Sequence, residues 1–408
     1  MSKLLILASG ECRDFRRLNG ESILADLPFD TLVFVDRSRA HHFAHLEDPR
    51  VTIRVVRWSD QSGILRLARE AHAEHGLSGV ATLDERNVAF AAMLRAEIDL
   101  PGLKPDEVRP FRDKIAMKEL LHAAGVRVPH FTCCTDRVAT EALLRQHGRI
   151  VLKPVSGLGS RGVSIVSSHT DLDSWFGETR HPELYEAEEF IDGVLYHLNA
   201  LVCDGVSLLT SSAPYLPGQA NIDFSCGTPF VTSILGDQAL AGRMEGFSME
   251  VIGALGLRNG VTHLECFLTP QNEIVFCEIA VRPGGGGIVW MIEAQHEVHY
   301  GRSTLLLEAG LGAAIRLGER KSSIAALIGF RSNRQGTLKR IADFRVFSEP
   351  WIHLAEIYHS PGNFVAPSAH CTDYLGLIIF SSKDEQEFHS RREQIVSRFY
   401  AEFELSAA

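Results

Sequence analysis

The stretch Ile150-Val-Leu-Lys153-Pro154-Val-Ser156-Gly157-Leu-Gly159-Ser160-Arg161-Gly162-Val163-Ser-Ile-Val166 decides the fold of this 408-residue chain. Its glycines spell GxGxxG, a spacing that unrelated nucleotide folds share, so the flanking residues must discriminate. A dinucleotide fingerprint needs a helix directly after the glycines, where a pyrophosphate meets the helix N-terminus. Residues 163–166 are β-branched and strand-like instead. A kinase glycine loop places its lysine downstream and requires HRD and DFG, and a Walker loop requires GK[ST]. None of these occurs here. What remains is a β-hairpin flap whose backbone N–H groups fold over phosphates while Lys153, on the incoming strand, points its ammonium at them. The alternative is a glycine-rich surface hairpin with a solvated lysine, and residues elsewhere must decide.

Residues 261–267 (VTHLECF) and 273–280 (EIVFCEIA) alternate around a turn-like Gln271-Asn272, which predicts a hairpin. Centring it on those two residues places Glu265 opposite Glu278. Like charges directly opposite on a sheet are destabilising unless something neutralises them. A divalent cation does so, and hard carboxylate oxygens favour Mg²⁺, which reaches such sites with phosphates as further ligands. Two solvated glutamates on an exposed face, or a slipped register, are the bland alternatives. Immediately downstream, Arg282-Pro283 leads into Gly284-Gly285-Gly286-Gly287. Four glycines let backbone approach a ligand closely, and the planar fork of Arg282 suits a phosphoryl group or carboxylate.

Composition narrows the classes. Apolar residues make up 45% and charged residues 23%, as in a folded globular protein. Mean hydropathy is +0.01 and the formal charge −10, which argues against nucleic acid as a partner. No apolar run is long enough to cross a bilayer, and residues 4–8 are too short for a signal peptide, so we expect no membrane partner and a cytoplasmic setting. Eight scattered cysteines, without CxxC pairs, read as reduced thiols, the adjacent Cys133 and Cys134 included.

Along the chain, strands at 4–8, 31–36, 51–58 and 80–83 alternate with a weak helix at 20–25 and a helix at 64–75, the pattern of a parallel sheet with helices on its faces. A helix at about 113–124 follows, with Asp113 as N-cap and Gly125 as stop. From residue 150 onward, short strands and glycine-rich turns predict an α+β lobe, with further apolar strands within 322–330 and 374–380. The fold class is thus a multi-lobe combination of α/β and α+β parts.

Taken in order, Lys114 in FRDKIAMK, the VLKPVSGLGSRGV flap, EEFIDG at 188–193, HLECF and CEIAVRPGGG resemble the ATP-grasp superfamily, and within it the carboxylate–amine ligases that include L-amino acid (dipeptide) ligases. The resemblance covers most of the chain. It implies a Rossmann-like pre-ATP-grasp domain (1–110), a lid subdomain with the flap (111–195), and a central catalytic plus C-terminal part (196–408).

By that resemblance, Lys114 and Lys153 hold ATP phosphates, and Ser156, Gly157, Gly159 and Ser160 belong to the mobile flap. Glu188, Glu189, Phe190 and Ile191 form the hinge that meets adenine. Glu265 and Glu278 are implied ligands of Mg²⁺, which Mn²⁺ could replace, and Arg282 is implied to bind an acyl phosphate. Gly285, Gly286 and Trp290, with less from residues 211–215, are expected near the substrates. The family often has Asn where this chain has Ala280, and Glu where it has Leu195. Ala280 removes one possible metal ligand, and Leu195 leaves His197 or Asn199 as candidates for the ribose. The implied activity is ATP-dependent ligation of a small-molecule carboxylate, modally of an amino acid, to an amine through an acyl phosphate, in specialised-metabolite synthesis, by a homodimer. A protein tail or other metabolite as acceptor, and a non-catalytic ATP-binding regulator, are the alternatives.

Overall fold

The structure is a computed structural model that describes residues 3–10, 12–43, 48–157, 159–216, 226–321 and 323–406. Leu158 of the expected flap and Ser322 of an expected strand lie outside the described residues.

The N-terminal strands Lys3–Ala8, Asp30–Asp36, Val51–Val56 and Gly79–Thr82 form one parallel sheet in the order third, second, first, fourth. Residues 4–8 and 32–35 are buried throughout, as continuous apolar runs covered on both faces must be. The helix Gln61–His75 starts where the Asp60 carboxylate accepts from the Gly63 N–H, and stops at Gly76 with φ 65°. Residues 20–25 do not form the expected helix. Their apolar residues are too few for a 3.6-residue stripe; the Ile23 N–H donates to the Phe15 carbonyl and Arg16 bridges to Ser22, so the segment folds back as a turn that buries Ile23 and Leu24.

The helix Lys114–Ala123 is capped as expected, the Asp113 carboxylate accepting from the Ile115 and Ala116 N–H groups, and Gly125 follows with φ 85°. The sequence-based boundary assigns this helix to the lid, whereas Met117 and Leu121 share a core with Leu198, Leu264 and Phe276 of the central sheet. The flap sheet is smaller: Phe131–Cys133, Tyr185–Glu189, Ile150–Pro154 and Ser164–Val166, all antiparallel, with Ile150 opposite Val166 across the glycine loop. Helices Arg137–His147 and His169–Glu178 cover it through Leu143, Leu144 and Leu172.

The central antiparallel sheet runs Val206–Pro214, Val194–Cys203, Gly260–Leu268, Ile274–Ala280. A separate antiparallel sheet of Phe230–Ser233, Ile324–Phe330, Gly376–Ser382 and Ile352–Ile357 packs against the helix Glu385–Ala401. The segment after residue 196 therefore carries two main sheets. No helix among the described residues is long and apolar enough to cross a membrane. The seven cysteines with described side chains are free thiols, and burial pushes that of Cys134 up to about 12.

Candidate active site

Glu265 and Glu278 do face each other, but by a route the sequence did not disclose. The hairpin turn is not the two residues Gln271-Asn272. A five-residue loop, 269–273, closes through Thr269 N–H to Glu273 carbonyl and Asn272 N–H to Thr269 carbonyl bonds, and Asn272 adopts φ 66°. Leu268 then pairs with Ile274, one residue off the expected register, and a bulge at Cys277 restores it at the glutamates.

The two carboxylates have different surroundings. Glu265 is buried and accepts a 2.7 Å hydrogen bond from the Tyr215 hydroxyl, with His263 Nε2 3.7 Å from the same oxygen. Glu278 keeps 38% side-chain exposure, and its Oε2 lies 3.2 Å from the Lys114 ammonium. Desolvation by the surrounding protein would raise the Glu278 pKa, but the ammonium groups of Lys114 and Lys153 override it and hold the carboxyl at about 2. It is ionised at any working pH.

Lys153 projects from the strand entering the flap and is buried. Its Nζ is 2.7 Å from Glu188 and 3.8 Å from Glu186. Burial works against its charge, but these carboxylates keep its pKa well above the ordinary lysine value. Lys118, fully buried one position beyond Met117, completes the group at 2.5 Å from Glu186 and 3.0 Å from Glu188. Two lysines and two glutamates thus neutralise one another under the flap. Sequence reasoning missed Lys118 and Glu186; the signal was the alternation of Glu186 with Glu188, which places both carboxylates on one strand face.

Lys114, Lys153, Glu188, Glu265 and Glu278 border a cavity of about 420 Å³ whose apolar walls include Val151, Ile165, Phe190, Leu195 and Phe267. Gly157, Gly159 and Ser160 line it, as do Glu188, Glu189 and Ile191, whereas Ser156 is exposed to one side. Gly159 (φ 65°) and Gly162 (φ 74°) take the left-handed backbone the loop needs, and a Cβ on Gly159 would collide with the His370 imidazole. In the hinge, the Glu188 carboxylate serves the lysines, and the Glu189 N–H already donates to the His130 carbonyl.

Arg282 follows the strand Ile274–Ala280 and forks onto Glu85, with Nε 3.1 Å and Nη2 2.7 Å from one carboxylate oxygen. Arg112 takes the other oxygen of Glu85. Burial would lower the Arg282 pKa, but Glu85 raises it. Glu85 comes from the N-terminal lobe, far from Arg282 in sequence, and was not foreseen.

Three expectations change. His197 is not at the cavity: it is fully buried, its Nε2 2.8 Å from the Thr232 hydroxyl and its Nδ1 accepting from Asn199 at 3.0 Å. The Asn199 side-chain Oδ1 meets His263 Nδ1 at 2.9 Å, so this chain of side chains steadies His263 beside Glu265 and leaves neither His197 nor Asn199 turned to a ribose. Ala280 pairs across the ladder with His263, whose ring occupies that side of the sheet. Trp290 is 2% exposed, its indole N–H donating to the Arg16 carbonyl at 2.6 Å, which makes it a core anchor and not a substrate wall. Gly285 and Gly286 lie in the turn ahead of the helix Ile288–His296, and Gly286 (φ 63°) leaves room for the Tyr374 hydroxyl.

A family model described as the ATP-grasp domain matches residues 111–285. An L-arginine-specific L-amino acid ligase from Bacillus subtilis is 27% identical over 327 residues, covering 76% of each chain. Among solved structures, an L-amino acid ligase from Bacillus licheniformis superposes with a TM-score of 0.78 at 18% identity, over 100% of this chain and 99% of that one. A phosphoribosylglycinamide synthetase from Anaerococcus prevotii gives 0.73 at 16% identity, over 99% and 100%. These two likenesses show the fold. Residues 111–285 thus carry an ATP-grasp domain, and the domain match with the Bacillus subtilis relative supports an ATP-grasp enzyme of the carboxylate–amine ligase type.

Proposed function

We propose that the chain joins the carboxylate of one amino acid to the amine of a second molecule, with ATP converted to ADP and phosphate. The observation that carries this reading is the ionised Glu278 facing Glu265, with Lys114 3.2 Å from Glu278 and Lys153 under the same flap. Purine stacks in the apolar slot of Ile165, Phe190 and Phe267, and the triphosphate runs toward the lysines. Facing carboxylates offer the hard oxygen ligands that fit Mg²⁺ or Mn²⁺, and such a cation would supply charge neutralisation to the phosphates when bound.

The chain's residues do the rest. Lys114 and Lys153 draw the β- and γ-phosphates into line, stabilising charge on the equatorial oxygens as a substrate carboxylate attacks the γ-phosphorus. The new oxygen–phosphorus bond forms as the bridge to ADP breaks. Arg282, held in place by Glu85, orients the acyl phosphate. The amine then attacks the acyl carbon, phosphate leaves and the amine releases a proton. The glycine flap excludes water from the intermediate, which would otherwise hydrolyse. Lys153 and Arg282 are thus the catalytic pair of the proposal. A cytoplasmic homodimer, in specialised-metabolite synthesis, completes it; sedimentation velocity reads the dimer.

The test is phosphate release from ATP and Mg²⁺ across a matrix of paired amino acids, with mass spectrometry of the products and Glu278→Gln as control. Release that requires an acid and an amine, yields an amide and is lost in the variant supports the reading. ATP binding without turnover for any pair refutes it in favour of a nucleotide-binding regulator. Turnover only with a protein tail or another amine refutes the amino-acid acceptor and keeps the ligase.

A further inference from the structure

We propose that His130, His147 and Glu189 form a binding site for one divalent transition-metal ion of the zinc class, separate from the facing glutamates. Side chains alternate along the strand Tyr185–Glu189, so Glu186 and Glu188 point to the lysines while Glu189 points to the other face. There it meets His130, which precedes the strand Phe131–Cys133, and His147, the last residue of the helix Arg137–His147.

Three Lewis bases converge. His130 Nδ1 is 3.2 Å from His147 Nε2 and 3.4 Å from Glu189 Oε2, and one donor atom from each residue lies within 4.8 Å of the others. Ligands held about 2.0–2.1 Å from a tetrahedral zinc are roughly 3.4 Å apart, so these two separations need almost no adjustment, and the His147–Glu189 side, within 4.8 Å, must close by at most about 1.4 Å. Two imidazoles and one carboxylate are the donor set of open zinc sites, with water in the fourth position. Such a set disfavours Mg²⁺, which takes oxygen ligands.

The carboxylate is pre-oriented. Arg127 Nη2 donates to both oxygens of Glu189 at 3.1 Å, and the His130 N–H donates to Oε2 at 3.1 Å. Arg127 also lies 3.6 Å from Glu273, which shares its charge. A cation on Glu189 must share that oxygen with Arg127, so affinity should fall short of a buried structural zinc site. Occupancy would tie the covering helix to the hinge strand beside the nucleotide cavity, which Glu189 also lines.

The experiment is a Co²⁺ titration of the intact chain, followed by visible absorbance, with excess Mg²⁺ present to occupy the oxygen-only glutamate pair. One equivalent giving intense low-symmetry cobalt bands, competed away by Zn²⁺, and weakened at least tenfold in both His130→Ala and His147→Ala, is expected. Bands unchanged in either variant, a sulfur-to-cobalt charge-transfer band, or no bands at all would overturn the proposal. His130 is 60% exposed, so its variant retains the fold even if that of His147 does not, and its result then decides alone. The readout is absorbance and not turnover, so it stands or falls apart from the ligase reading.

Discussion

Replacing Lys118 by methionine should lower the stability of the fold by about 3–5 kcal/mol, although no part of Lys118 reaches solvent or the cavity wall. At an effective dielectric near 20, its contacts to Glu186 at 2.5 Å and Glu188 at 3.0 Å correspond to roughly 7 and 5.5 kcal/mol of attraction, before the desolvation that opposes them. Methionine matches the length of the side chain but not its charge. Glu186 and Glu188 are then left to share Lys153, which is 3.8 Å from the first and 2.7 Å from the second. One buried negative charge has no counterpart, and that is the origin of the loss.

The double variant Lys118→Met with Glu186→Gln separates this account from simple packing. It removes one charge of each sign and leaves the Lys153–Glu188 pair intact, so it should recover at least about 2 kcal/mol relative to the single variant. Urea unfolding, with two optical probes to check for a single transition, measures both. A single variant within about 1 kcal/mol of wild type, or a double variant no more stable than the single, refutes the reasoning.

Four more outcomes follow from the site. His197→Asn should reduce stability by about 1–3 kcal/mol while KM for ATP moves less than about twofold, because the ring serves Thr232 and Asn199; a tenfold rise in KM would return it to the ribose. Burial holds the His197 pKa well below 6.5, so the imidazole stays neutral in the fold, and stability should fall as pH drops below the unfolded value near 6.5; urea midpoints against pH should lose that slope in the variant. The Glu278 pKa is depressed from 4.5 to about 2, so its contribution is present above pH 4.5 and lost as pH falls through about 2; acid titration of Glu278→Gln should show a shallower loss across that window. Glu85→Gln should lower kcat about tenfold with KM for ATP little changed, since it loosens Arg282 and leaves the lysines alone; an unchanged kcat would remove Glu85 from the positioning of Arg282.

The facing of Glu265 and Glu278 was legible because hairpin register is arithmetic, yet the agreement came from two compensating shifts. A longer loop moved the register by one residue, and the bulge at Cys277 moved it back. Alternation alone reveals neither. The flap was legible because β-branched residues after the glycines exclude a helix, and the Ile150–Val166 pairing follows from that. What stayed hidden was every partner brought by long-range packing: Glu85 against Arg282, 197 residues away, and Lys118 against Glu186, 68 away. His197 was misassigned because strand alternation shows which face a side chain takes but not what covers that face. Trp290 was misassigned for the same reason, since its cover, the Arg16 carbonyl, comes from 274 residues earlier in the chain.

A common principle orders the three cations assigned to phosphate. Lys114 pairs with Glu278, Lys153 with Glu188 and Arg282 with Glu85, and each carboxylate is held by a different sheet or lobe. On the proposed reading, a triphosphate would take these cations from carboxylates and would not meet them free. On that reading, releasing Lys114 from Glu278 would leave the glutamate to a divalent cation, so nucleotide and cation should each strengthen the binding of the other. Glu188 differs, because Lys118 lies 3.0 Å from it and would keep the buried charge compensated were Lys153 to turn to phosphate. That gives Lys118 a reason to be lysine which stability alone does not supply: it lets Lys153 leave its partner without stranding a buried carboxylate beneath the flap.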